Sequence, residues 1–157
     1  MSGRENLPII LLTSLAGLVL SIVPLPSVLL VLRPAFLVLT VMYWSTMAPL
    51  AAGMSLGFVG GLALDVFQGP LLGEHALALS FVTYLALRFN LLMRAKPLFE
   101  QSLYVLVAML AYEVLLWVIE GWTGHSLSNP LRWLHVPIDA LIWPIVVGIL
   151  GRFYSAR

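Results

Sequence analysis

Residues 7–32 read LPIILLTSLAGLVLSIVPLPSVLLVL, about 26 positions without one charged side chain. An α-helix rises about 1.5 Å per residue, so roughly 20 apolar residues cross the hydrocarbon core of a bilayer. This run is long enough to do so. The rest of the chain agrees. Of 157 residues, 61% are hydrophobic and 10% are charged, and the mean hydropathy is +1.03. No soluble domain of this size hides so much apolar surface. A membrane β-barrel would alternate apolar and polar residues with a period of two, and no such pattern is visible. The expected class is an all-α membrane protein, because helices satisfy their own backbone groups in lipid.

The same numbers exclude several functions. A net charge of +1 gives no basis for nucleic-acid binding, and no nucleic-acid partner is expected. The absence of cysteine removes disulfides, thiolate catalysis and cysteine-ligated metals. Arg4 ahead of an apolar run invites a signal-peptide reading. The run is too long for that and lacks a small-x-small cleavage site, so it is expected to stay as the first membrane helix.

Working outward, the breaks predict six transmembrane helices, roughly 7–31, 35–48, 50–67, 73–93, 98–121 and 134–154, in one domain over 1–157. Pro24 and Pro26 disturb the outer end of the first. Arg33-Pro34 marks the first turn. Residues 34–64 carry no charge, too many for one perpendicular span and few for two. Pro49 divides them into a short hairpin. Gly69-Pro70, Arg94-Ala-Lys96-Pro97 and the stretch from Gly121 to Pro130 supply the remaining loops. With both termini cytoplasmic, Arg4, Arg88, Arg94, Lys96, Arg152 and Arg157 fall on the inner side, and only Arg33 and Arg132 fall outside. That is the positive-inside bias. Asp65, Glu74, Glu113, Glu120 and Asp139 all fall in the outer half. An odd number of helices would put the C-terminal arginines outside.

Gly53, Gly57 and Gly61 repeat every four residues, a pair of GxxxG steps that suits close helix packing, within the protein or with a partner. Gly53-Met-Ser55-Leu-Gly57 also matches the G-x-S-x-G nucleophile pattern. That motif needs a strand–turn–helix elbow that a membrane helix does not supply, although His75 or His135 could be proposed as a partner on another helix. Packing accounts for the same letters, and no catalytic residue is assigned. Asp65 closes the stripe. A carboxylate deep in lipid costs about 2.5–3.5 kcal/mol, so it either caps the helix beginning near Gly73, pairs with Arg33, or lines a polar pocket. Gln68 and His75 can hydrogen-bond in the same turn, and no metal is expected. Glu113, Trp117 and Glu120 share one helix face, as do His135, Asp139 and Trp143. Glu120, His135, Trp122 and Trp133 are expected at the interface. Glu113 and Asp139 lie deeper. They are open to two readings, proton-relay groups or structural acids paired with Arg132 or a backbone donor. With no cation on their level deep in the membrane, a polar interior cavity is favoured.

The string Leu64-Asp65-Val-Phe-Gln68-Gly69-Pro-Leu-Leu72-Gly73-Glu-His75-Ala-Leu-Ala-Leu, with Arg33-Pro34 and Tyr84-Leu-Ala-Leu-Arg88-Phe, resembles the MreD family of rod shape-determining proteins. The resemblance covers nearly the whole chain. It implies a non-enzymatic, cofactor-free subunit of the cell-elongation machinery in the bacterial inner membrane, organising lateral peptidoglycan synthesis. Its implied direct partner is MreC, through a membrane helix, with MreB and the elongation glycosyltransferase–transpeptidase pair in the wider complex. Membrane lipid is a further expected partner, and homo-oligomerisation stays open. The family is also similar in architecture to the substrate-binding subunits of energy-coupling-factor vitamin transporters. That likeness implies an outward cavity and leaves an alternative, a small-molecule or lipid-binding membrane subunit. The motif residues Arg33, Pro34, Asp65, Gln68, Gly69, Leu72, Gly73 and His75 are the expected pocket or partner groove. Glycines 53, 57 and 61 are expected in helix packing, and Glu113 and Asp139 as outer polar groups.

Overall fold

The computed structural model describes residues 7–30, 32–68, 71–124 and 129–155. Of these, 84% are helical and none lies in a strand. The order is α1 (Leu7–Ile22), α2 (Ser27–Leu30), α3 (Phe36–Met47), α4 (Met54–Phe67), α5 (Glu74–Arg88), α6 (Asn90–Ala95), α7 (Leu98–Thr123) and α8 (His135–Ser155). A 3-10 turn, Pro130–Leu134, leads into α8. Gly69-Pro70, Arg4 and Arg157 lie outside the described residues, as does most of the loop before Pro130.

Two expected helices are divided. The first ends at Ile22 rather than near residue 31, and the chain resumes helix only for the single turn of α2. Pro24 and Pro26 have no N–H to donate, so the ladder cannot pass through them. The fourth ends at Arg88 and restarts as α6, with Phe89 between at φ −105° and ψ 13°. The side-chain amide of Asn90 donates to the Leu87 carbonyl there, competing with the backbone ladder.

Helix α3 is the axis of the bundle. Every residue from Leu37 to Thr46 is buried, which suits a helix that is apolar all round. Helices α1, α4, α5, α6 and α8 pack around it. The Trp44 indole N–H reaches Thr13 Oγ1 on α1 at 2.8 Å. The Trp143 indole on α8 donates to Gln101 Oε1 on α7 at 3.1 Å.

The closest pair is α4 with α5, and two glycines make it so. A Cβ on Gly61 would stand 2.4 Å from the Ala76 Cα, and one on Gly57 would stand 2.2 Å from Thr83 Oγ1. Gly53 meets nothing within 4 Å and instead precedes α4 as its N-cap. The glycine stripe therefore divides: two members face α5 inside the bundle, and one does not.

Around this interior, large apolar side chains face outward. Phe99 is 82% exposed, Leu141 77% and Val28 75%. A continuous apolar exterior of this kind is suited to lipid. Leu98–Thr123 and Pro130–Tyr154 are each long and apolar enough to cross a bilayer, whereas α1, α3 and α4 are shorter apolar helices.

The helices alternate in direction, which gives the bundle two chemically different ends. Arg88, Arg94, Lys96 and Arg152 gather at one. There the Arg94 Nε donates to the Thr46 carbonyl at 2.7 Å, and its Nη2 donates to Met47, closing the C-terminus of α3. The other end carries Asp65, Glu74, Glu113, Glu120 and Asp139, while Glu100 pairs with Lys96 at the first.

Candidate functional site

At the acidic end, helix starts lack their own caps. Helix α5 begins after Gly73, which has φ 101° and no side chain to offer. The left-handed conformation suits glycine and leaves the first N–H groups of α5 orphaned. Asp65, the last acid of α4, supplies what is missing. Its Oδ2 accepts from Gly73 N at 2.8 Å and from Ala76 N at 3.2 Å. Its Oδ1 accepts from His75 N at 2.7 Å and faces His75 Nδ1 at 2.9 Å. The carboxylate is buried, with the residue 2% exposed. The positive end of the α5 dipole and three N–H donors offset the loss of hydration. Of the alternatives open for Asp65, the structure places it as a cap and not beside Arg33.

The same device recurs at α3, whose N-cap is Ala35. Asp139, reaching across from α8, accepts from Ala35 N at 2.9 Å through Oδ1. Ser21 Oγ on α1 accepts from Leu37 N at 3.3 Å. The broken end of α1 is closed in the opposite sense. Its carbonyls need donors, and Arg33 Nη2 gives one to Leu20 while Gln68 Nε2 gives one to Ser21. Thus Arg33, Asp65, Gln68 and Asp139 all terminate a helix other than their own, a requirement set by backbone groups that lipid cannot satisfy.

A charged relay joins α7, the 3-10 turn and α8. His135 Nδ1 faces Asp139 Oδ2 at 2.8 Å, and its Nε2 faces Glu113 Oε1 at 2.7 Å. Glu113 Oε2 accepts from Arg132 Nε at 3.0 Å, and Arg132 Nη1 donates to Glu120. Asp139 is fully buried and Glu113 is 4% exposed. Of the readings open for these two acids, the structure shows pairing: Arg132 reaches Glu113 from the 3-10 turn, and Asp139 accepts from the Ala35 backbone, while Glu113 also lines a cavity. Glu120 and His135, expected only at the interface, are members of this relay. The spacing of Glu113 with Glu120 and of His135 with Asp139 put each pair on one face. The register that sets α7 against α8 is not written in either helix alone.

Between these two groups opens a cavity of about 640 Å³. Arg33, Pro34, Gln68, His75, Tyr112 and Glu113 contribute to its wall, with Ile22, Leu25, Leu64 and Leu116 as apolar lining. Arg33, in the loop before α3, has a buried Nε without a hydrogen-bond partner among the described residues. Burial holds its guanidinium below the ordinary arginine range. Leu72 stands apart, 71% exposed and outside the cavity wall. Gly69 lies outside the described residues. Ser55 is far from His75. It lies ten residues before Asp65 on α4, about 15 Å along the axis, and Asp65 is what holds His75.

These features can be set beside known proteins. The family model for "rod shape-determining protein MreD" matches residues 4–153. The chain belongs to the MreD family. A curated relative, the rod shape-determining protein MreD of Haemophilus influenzae (strain ATCC 51907 / DSM 11121 / KW20 / Rd), is 31% identical over 134 residues. That alignment spans 85% of this chain and 83% of the relative. No solved structure matches the chain. Membership in the MreD family and the long apolar helices together make this a membrane protein of a shape-determining family.

Proposed function

We propose that the protein is a non-enzymatic scaffold of the bacterial elongation complex that maintains rod shape by organising lateral peptidoglycan synthesis. In this reading it crosses the inner membrane six times, with α1–α2, α3, α4, α5–α6, α7 and α8 as the spans. Both termini are cytoplasmic, and the Arg88–Arg94–Lys96–Arg152 end is the inner one. The acidic end then faces outward. MreC is the direct partner through its membrane helix, and MreB and the glycosyltransferase–transpeptidase pair belong to the wider assembly.

Family membership over residues 4–153 carries this reading. The geometry supports a structural role for the polar residues, since Asp65, Gln68 and Asp139 are committed to helix termini, and Glu113 and His135 to side-chain pairs. The interior position of Gly57 and Gly61 moves the partner surface away from the glycine seam. A bulky substitution there disturbs α5 before it reports on a partner. The test is complementation. Expression in a rod-shaped bacterium depleted of its own MreD is expected to restore the length-to-width ratio, read by phase-contrast microscopy. Cells that remain round while the protein is stably inserted would refute the proposal.

A further inference from the structure

The cavity at the acidic end has an unusual balance of used and unused groups. Its acids are engaged: both Glu113 oxygens are taken, by His135 and Arg132. Asp65 is surrounded by N–H donors. What remains unengaged on the wall is of the other kind. Arg33 lines the wall, lends Nη2 to the Leu20 carbonyl and pairs with no acid among the described residues. Tyr112 is 4% exposed and lines the cavity, and its hydroxyl makes no hydrogen bond among the described residues. Its ring lies 6.4 Å from that of His75, centroid to centroid. A hydroxyl and a guanidinium on a cavity wall, each with hydrogen-bonding capacity to spare, are met by a ligand or by water.

His75 adds a third contact of opposite polarity. An ionised Asp65 can only accept, so Nδ1 must carry the proton that lies between them. In the neutral ring Nε2 is then an acceptor, on a residue that lines the cavity. The wall therefore offers two donors, one of them cationic, and one acceptor. Ile22, Leu25, Leu64 and Leu116 line the rest. A volume near 640 Å³ is in the range of small-ligand sites and far larger than a bare oxyanion needs.

We propose that this cavity binds the head of an anionic lipid, with a phosphodiester on Arg33 and Tyr112 and a head-group hydroxyl on His75. A phosphoglycerol head has both functions. The acyl chains leave along the apolar wall beside α1 and α4. The site goes beyond a scaffold role, since it makes the outer end of the bundle responsive to lipid composition.

The full-length protein in detergent tests this by native mass spectrometry and thermal unfolding. The probes are phosphatidylglycerol, phosphatidylcholine, inorganic phosphate and glycerol phosphate. The expected result is at least tenfold preference for phosphatidylglycerol over phosphatidylcholine. Arg33→Gln and Tyr112→Phe should each remove about tenfold of that affinity, the scale of a single charge-assisted or buried hydrogen bond. Arg88→Gln, at the other end, should leave it unchanged. Circular dichroism verifies that the variants fold. Equal binding of the two lipids overturns the proposal, as does equal loss in Arg88→Gln. Saturation by glycerol phosphate or inorganic phosphate, with no gain from acyl chains, would assign the site to a free phosphate and overturn the lipid assignment.

Discussion

Replacing Asp65 by alanine tests the trans-capping arrangement most sharply. The wild-type carboxylate accepts three backbone N–H groups of the α5 start and one His75 nitrogen. Alanine leaves three buried donors unpaired. Each orphaned donor costs about 1–3 kcal/mol, and loss of an ordinary side-chain cap about 0.5–2 kcal/mol. Water entering from the adjoining cavity recovers part of this, which leaves about 3–5 kcal/mol. For a chain of this length that is a fall of roughly 6–20 °C in Tm. His75→Ala removes one bond and spares the backbone cap, so about 1 kcal/mol is expected. Asp65→Asn should fall between them, because the amide keeps one acceptor but turns an NH₂ toward a donor. The assay is thermal unfolding in detergent followed by tryptophan fluorescence, with all three variants in parallel. An Asp65→Ala loss no larger than that of His75→Ala would refute the capping argument.

Other consequences follow from the same packing. Gly61→Ala should destabilise by about 1–3 kcal/mol through overpacking against the Ala76 backbone, while Gly53→Ala should be nearly neutral; the same unfolding assay checks both. A double-mutant cycle on Arg132 and Glu113 should give a coupling of about 1–3 kcal/mol, because Glu113 is buried. The exposed Lys96–Glu100 pair should show no measurable coupling. The chain contains no cysteine, so single cysteines can report orientation. Leu72→Cys should react with a membrane-impermeant maleimide in spheroplasts, and Lys96→Cys only after the membrane is opened.

The helical, membrane-embedded character was legible from residues 7–32 because backbone satisfaction in lipid leaves little choice. The division of the first helix was partly visible in Pro24 and Pro26, since proline acts locally. The division at Phe89 was hidden, because it depends on one side-chain amide competing for a carbonyl. Asp65 was singled out as an acid needing a partner, and its carboxylate meets the start of α5. Its partner could not be chosen from the sequence, where a cap, Arg33 and a pocket were all consistent with the spacing. Glycine 73 held the clue, since a glycine start leaves α5 without a cap of its own. The relay through Arg132, Glu113 and His135 was only partly legible. Each helix face was readable and Arg132 was one partner left open, but the register of α7 against α8 is written in neither helix alone. Tyr112 carried no sequence signal, because an aromatic residue in an apolar helix reads as core.

The scaffold account is tested most directly by the stoichiometry of its complex in native membranes. Membranes from cells producing tagged protein and chromosomal-level MreC are solubilised in mild detergent, and the purified material is quantified by mass spectrometry with isotope-labelled standards. The account expects MreC to be retained in a fixed, near-integer ratio through size-exclusion chromatography. Recovery of the folded protein with MreC absent, or present only in trace and varying amounts, would contradict it.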